Sequence, residues 1–135
     1  ASSIVAVSGT IDGIDLYGRA VSEAWDITAG GTSKTFVGKK AFVRINSITI
    51  TSAGNATTDT LKLGTTNVFG LPFPCSSVDV VSEMQDGAVV TTEGLLVAAS
   101  SVSTADRRGT YAPNAAPDGA KDFVVYYISD DPTGI

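Results

Sequence analysis

The acidic residues are the first place to look for chemistry in this chain. Asp12 and Asp15 flank Gly13-Ile14, close enough to bring two carboxylates into one turn, as a calcium loop does. The ordered oxygen ligands and closing Glu of an EF-hand are missing, and Asp-Gly is ordinary turn chemistry. Glu83 with Asp86, and Asp130 with Asp131, are carboxylate pairs of the kind that hydrolyse glycosides. Such a pair must flank a sugar cleft. A chain of 135 residues is short for one, and solvated acidic turns explain both pairs. Gly30-Gly31-Thr32-Ser33-Lys34 has the residue types of a phosphate cradle, but lacks the P-loop spacing and a following helix.

The chain contains no His. That removes Ser-His-Asp and Cys-His nucleophile systems and every His-ligated metal site. Cys75 is the single cysteine, so no intramolecular disulfide forms. Beside Pro74 and without an activating His, it reads as an inert packed thiol. The expectation is a protein that is not an enzyme and holds no cofactor or metal.

The formal charge of −5 and the absence of a basic run argue against nucleic acid, whose affinity comes largely from neutralised phosphates. No stretch approaches the roughly 20 apolar residues of a membrane span. No signal-peptide pattern is present, and Ala1-Ser2-Ser3 reads as a start whose initiator Met was removed, so synthesis is expected in a cytoplasm. Asn55-Ala56-Thr57 matches a glycosylation acceptor, which has meaning only on a secretory route.

The elements that would position these groups are strands. Charged residues are 17% of the chain against a typical quarter or so, and Ser and Thr fill the polar positions. Branched residues suit a pleated surface, and turn signals recur every ten residues or so. Strands are expected at 4–11, 17–28, 34–37, 41–51, 60–63, 78–84, 88–92 and 95–103. Asp12-Gly13 is read as a turn, and Asp86-Gly87 as the turn of a hairpin. In 41–51 the apolar phase slips between Ile45 and Ile48, which predicts a β-bulge. Phe123 to Ile128 is apolar on both faces, as a buried central strand would be. A short helix over 78–85 is the one exception to the β reading. Trp25, Phe42, Ile48, Leu61, Val124 and Tyr126 are expected in one core. The fold class is therefore all-β: one antiparallel β-sandwich domain over 1–135, the jelly roll being one such form, with little helix.

Two extended segments interrupt the strand pattern, 67–76 with Pro72 and Pro74, and 107–119 with Pro113 and Pro117. The prolines place the first on a sheet edge or in a packed loop. As arms laid on a partner, these segments would dock through Leu71, Phe73, Arg107, Arg108 and Tyr111, since Arg and Tyr are favoured interface anchors. The plainer alternative is that both fold onto their own domain. Lys39-Lys40 is the other basic pair, and charge complementarity sets docking register.

Four stretches resemble a family of small structural proteins of tailed-bacteriophage particles. They are Thr10-Ile11-Asp12-Gly13 with Ala20-Val21-Ser22-Glu23; Gly38-Lys39-Lys40-Ala41-Phe42 running into Ile45-Asn46-Ser47-Ile48-Thr49; Leu63-Gly64-Thr65-Thr66-Asn67-Val68-Phe69-Gly70-Leu71-Pro72; and Arg107-Arg108-Gly109-Thr110-Tyr111-Ala112-Pro113-Asn114 with Ala116-Pro117-Asp118-Gly119. They span residues 10 to 128, and the Gly-Leu-Pro and Arg-Gly-Thr-Tyr-x-Pro-Asn elements are the more specific. The resemblance implies a component of the virion made in the host cytoplasm. It further implies a capsid decoration or cement protein on the head exterior, with the major capsid protein as partner. A homotrimer is expected by analogy, three-fold sites being common docking points on icosahedral shells. It carries over no catalytic residue. The alternatives are a neck, tail or head-fibre component, or a carbohydrate-binding module on the virion surface with Trp25 or Tyr111 as its aromatic platform.

Overall fold

A computed structural model describes residues 4–53, 60–78, 80–100 and 105–130; Asp131 and Asn55-Ala56-Thr57 lie outside the described residues. Nine strands and no helix occur among them, and every strand pairing is antiparallel. The protein is all-β. The backbone groups into two compact units, Ala1–Thr65 and Thr66–Ile135.

In the first unit β1 (Val7–Ile14) lies between β2 (Ala20–Ile27) and β3 (Arg44–Ala53). Side chains alternate across a strand, so register assigns the faces. Ser8, Thr10 and Asp12 share one face with Asp26, Ala24 and Ser22 of β2 and with Ser47 and Thr49 of β3. The opposite face carries Gly9, Ile11 and Gly13, flanked by Trp25, Glu23 and Val21 and by Ile50, Ile48 and Ile45. Trp25 and Glu23 are buried there.

Two bulges shape β3. Asp12 pairs with Ser47 and Gly13 with Ile45, which leaves Asn46 as an extra residue inside the stretch where the apolar phase slips. A second extra residue, Thr51, falls between the partners of Ser8 and Gly9. Each bulge adjoins a glycine of β1. A Cβ on Gly9 would stand 1.9 Å from the Thr49 carbonyl oxygen, and one on Gly13 would stand 2.1 Å from that of Arg44. The β3 carbonyls occupy the room that side chains would need. This corrects the turn expected at Asp12-Gly13. Both residues are inside β1, and the chain reverses at 15–19 instead. Lys34 to Val37 and Thr60 to Leu63 are not strands.

In the second unit β4 (Phe69–Gly70) and β7 (Leu95–Val97) flank β8 (Thr110–Ala112), while β6 (Ala88–Val89) and β9 (Phe123–Tyr127) flank β5 (Val80–Gln85). Leu71, Cys75, Leu96 and Tyr111 form the buried core, with Val80, Val125 and Tyr127 packed against it. The β5–β6 hairpin turns at Asp86-Gly87, both with positive φ (51° and 80°), as the Asp-Gly signal predicts. Segment 78–85 holds a strand, not a helix, and β4 is an edge ahead of Pro72 and Pro74, as the prolines require.

The expected core needs correction. Of its six members only Trp25 is fully buried. Phe42 is half-buried; Ile48, Leu61, Val124 and Tyr126 are 40–54% exposed. Ile48 lies on the inward face of its sheet, but the segment from Gly38 to Phe42 covers that face at Glu23 and Gly13 and leaves edge strand β3 open. Val124 and Tyr126 fail for a different reason. β9 is an edge strand, and its apolar run has one face on the core and one in solvent.

Candidate functional site

The five expected docking residues do not share a surface. Leu71 and Tyr111 are core residues, and Arg108 is 6% exposed, its backbone N–H donating to Asp106 at 2.9 Å. Only Phe73 and Arg107 are exposed. The 67–76 segment is also tied to its own unit. Phe73 N–H donates to the Tyr127 hydroxyl and that hydroxyl donates to the Phe73 carbonyl, both at 3.1 Å, while Ser129 Oγ donates to the Pro74 carbonyl at 3.0 Å. Folding onto their own unit, the plainer alternative, describes Leu71, Arg108 and Tyr111. Trp25 and Tyr111, at 6% and 1% exposure, present no aromatic platform for a sugar.

The paired carboxylates part company as well. Glu83 has no exposed surface, and Asp86 sits in the exposed hairpin turn, where it accepts the Asp122 N–H at 2.9 Å. Glu83 projects to the core side of β5, opposite Val125. Its carboxylate accepts the Gly94 N–H at 2.8 Å, the Asn114 N–H at 3.2 Å and the hydroxyl of Tyr111. The Tyr111 oxygen in turn accepts from the Gly94 N–H at 2.7 Å. A buried carboxylate is tolerated only when donors replace its water, and here two backbone N–H groups and a phenol do so. The node joins β5, β8 and the connections on either side of them.

Sequence reasoning missed this use of acid. Among the described residues Asp15, Glu23, Glu83, Asp86, Asp106, Asp118 and Asp130 each accept at least one backbone N–H. Strands here are short and connections long, so many backbone donors lack a ladder partner, and carboxylates supply one. Glu23 takes the N–H groups of Lys39 and Lys40 at 2.7 and 3.3 Å, which assigns that basic pair a structural place. Asp118 accepts from Ala120 and Lys121, and the Lys121 ammonium beside it, with those N–H groups, holds its carboxyl well below the usual range. Asp12 and Asp15 are likewise apart: Asp12 is on the polar face of β1 and Asp15 is committed to its turn. Among the described residues no three His, Cys, Asp or Glu side chains are grouped to hold a metal ion.

Burial, then the bond to Glu83, raises the Tyr111 phenol from 10.0 to about 12. The folded state therefore holds this proton more tightly than the unfolded chain. The resulting stabilisation is present in full below about pH 10 and is lost as pH rises toward 12. We expect about 3 kcal/mol of pH-dependent stability in that window. Tyr111→Phe should remove it, leaving a flatter denaturation midpoint between pH 10 and 12 than the parent; parallel curves would show that Tyr111 is not the titrating group. Burial also pushes the Cys75 thiol up, consistent with an unreactive core residue.

What the surface does offer is apolar. On the outer face of the β5–β6–β9 sheet, Met84 pairs with Val89 on one side and Val124 on the other, and Ser82 pairs with Tyr126. Val89, Val124, Tyr126 and the following Ile128 are 48–66% exposed. In the first unit, Ile45, Ile48 and Ile50 line the open edge of the face that carries Trp25. Scattered apolar residues are normal on a surface; here they stand in register across neighbouring strands.

The class that fold and surface define is an all-β protein of short antiparallel sheets with uncovered apolar faces. Comparison with protein-family models, with curated proteins and with solved structures returns no match.

Proposed function

We propose that this protein is a non-catalytic structural component of a tailed-bacteriophage particle, a decoration protein that binds the major capsid protein on the outside of the head and cements neighbouring subunits. The observation that carries this is the outer face of the β5–β6–β9 sheet, where Val89, Met84 and Val124 form one row with Tyr126 beside it. A sheet face of this composition gains free energy when another protein covers it, at about 25 cal/mol per Å² of apolar surface. The resemblance of four stretches to small virion proteins selects the particle as the setting. Copies of the chain in a trimer would let one decoration unit touch several capsid subunits, and multivalent attachment raises avidity through effective concentration.

The test uses particles that lack this protein, with and without purified protein added back. Rebinding to the head and a higher shell-rupture temperature are expected. Binding confined to the neck, tail or fibres would move the protein elsewhere in the virion and end the cement role. Hydrolysis of host polysaccharide by the purified chain would overturn the non-catalytic reading.

A further inference from the structure

The connection from β1 to β2 presents large side chains on a hydrogen-bonded loop. Leu16 and Tyr17 are 54% and 41% exposed, and Arg19 is exposed beside them. The Arg19 guanidinium lies over the Tyr17 ring, 5.8 Å from its centroid, so cation and aromatic face form one stacked surface. Beneath them Asp15, 8% exposed, accepts the Tyr17 N–H at 2.8 Å and the Arg19 N–H at 2.9 Å. Asp15 N–H donates to the Arg19 carbonyl at 2.9 Å and Gly18 N–H to the Asp15 carbonyl at 3.0 Å. Four hydrogen bonds thus hold a five-residue loop, and two of them use a carboxylate removed from water.

The β5–β6 hairpin turns on Asp86-Gly87, where Asp86 exchanges hydrogen bonds with the Asp122 backbone and no large apolar side chain is presented. At 15–19 the chain instead holds Tyr17 and Arg19 against one another at the surface, with Leu16 exposed beside them. Tyr and Arg dominate binding hot spots, and a loop already ordered before contact loses little entropy on docking. These are also the residue types sought at Leu71, Arg108 and Tyr111, which the fold buries.

We infer that the 15–19 tip is a docking element for an acidic protein surface, with Leu16 and Tyr17 entering an apolar depression and Arg19 pairing with a carboxylate on its rim. The exposed charge of the tip is that of Arg19, because the Asp15 carboxylate is turned inward onto backbone N–H groups; an acidic rim complements it. The inference rests on the capsid reading for the identity of the partner, the shell protein.

The experiment compares rebinding of the parent, Tyr17→Ala, Arg19→Glu and Arg19→Lys to particles lacking the protein, with melting temperature as the folding control. Tyr17→Ala and Arg19→Glu should each weaken binding by about tenfold or more, and Arg19→Lys by less, at unchanged melting temperature. Hydroxyl-radical footprinting of the bound parent chain, which needs no variant, should show Leu16 and Tyr17 protected. Parent-like binding by the variants, or undiminished oxidation of Leu16 and Tyr17 in bound protein, overturns the tip while leaving the capsid reading intact. Failure of the parent chain to bind heads at all overturns both.

Discussion

Glu83→Ala is expected to destabilise the protein by about 5 kcal/mol, enough to unfold the second unit at ambient temperature if its stability is typical. The side chain is fully buried, and its removal takes the acceptor from the buried Tyr111 hydroxyl and from the Asn114 N–H and leaves the Gly94 N–H only the Tyr111 oxygen. An unsatisfied buried donor costs about 1–3 kcal/mol, and the vacated volume adds a cavity term because the surroundings relax only in part. Glu83→Gln keeps the shape and one acceptor oxygen, so about 2 kcal/mol is expected for it. Urea denaturation followed by circular dichroism reads both. A Glu83→Ala midpoint within about 1 kcal/mol of the parent would mean that the node does not carry the packing of β5 and β8.

Gly9→Val should be the most damaging change in the first unit, at about 3 kcal/mol. Valine suits strands in general, which makes the expectation discriminating. At this position its Cβ would meet the Thr49 carbonyl oxygen at 1.9 Å and the Trp25 ring at 2.8 Å. The carbonyl belongs to the β3 backbone and cannot rotate aside as a side chain does, so β1 must give up its pairing with β3 or displace Trp25. Trp25 is the only tryptophan, and its fluorescence reports this unit directly. A red-shifted emission with an earlier unfolding transition is expected. Unchanged emission and midpoint would show that the bulged register of β1 and β3 is not the one in solution.

Much of the local structure was legible in the residues. Asp86-Gly87 announced a hairpin because few residues tolerate positive φ at two successive positions. The slip of apolar phase between Ile45 and Ile48 announced a bulge because side chains alternate strictly along a strand, so an extra residue must appear as a phase error. Pro72 and Pro74 announced an edge because proline has no N–H for a ladder. The second bulge at Thr51 left no such mark, since the residues around it are Thr and Ser and serve either face.

The surroundings of each side chain were not legible in the same way. Phe123 to Ile128 is apolar at every position, which is compatible with burial on both faces or with one face on the core and one in solvent; the alternation of half-buried and exposed residues along β9 is the second. Tyr111 and Arg108 have the composition of interface anchors, yet contacts with residues far along the chain draw Tyr111 to Glu83 and leave Arg108 beside Asp106 inside the unit. Glu83 looked like half of a solvated pair with Asp86, only three residues away. The odd spacing along strand and turn sends one inward and the other to the surface. By itself the sequence determined what depends on neighbours in the chain: strand periodicity, turn chemistry, a bulge, and the absence of imidazole. Tertiary structure alone decided which apolar face is covered, which acids hold loops together and which residues reach solvent. Those outcomes depend on long-range packing, and burial is a property of what lies opposite a residue, not of the residue's type.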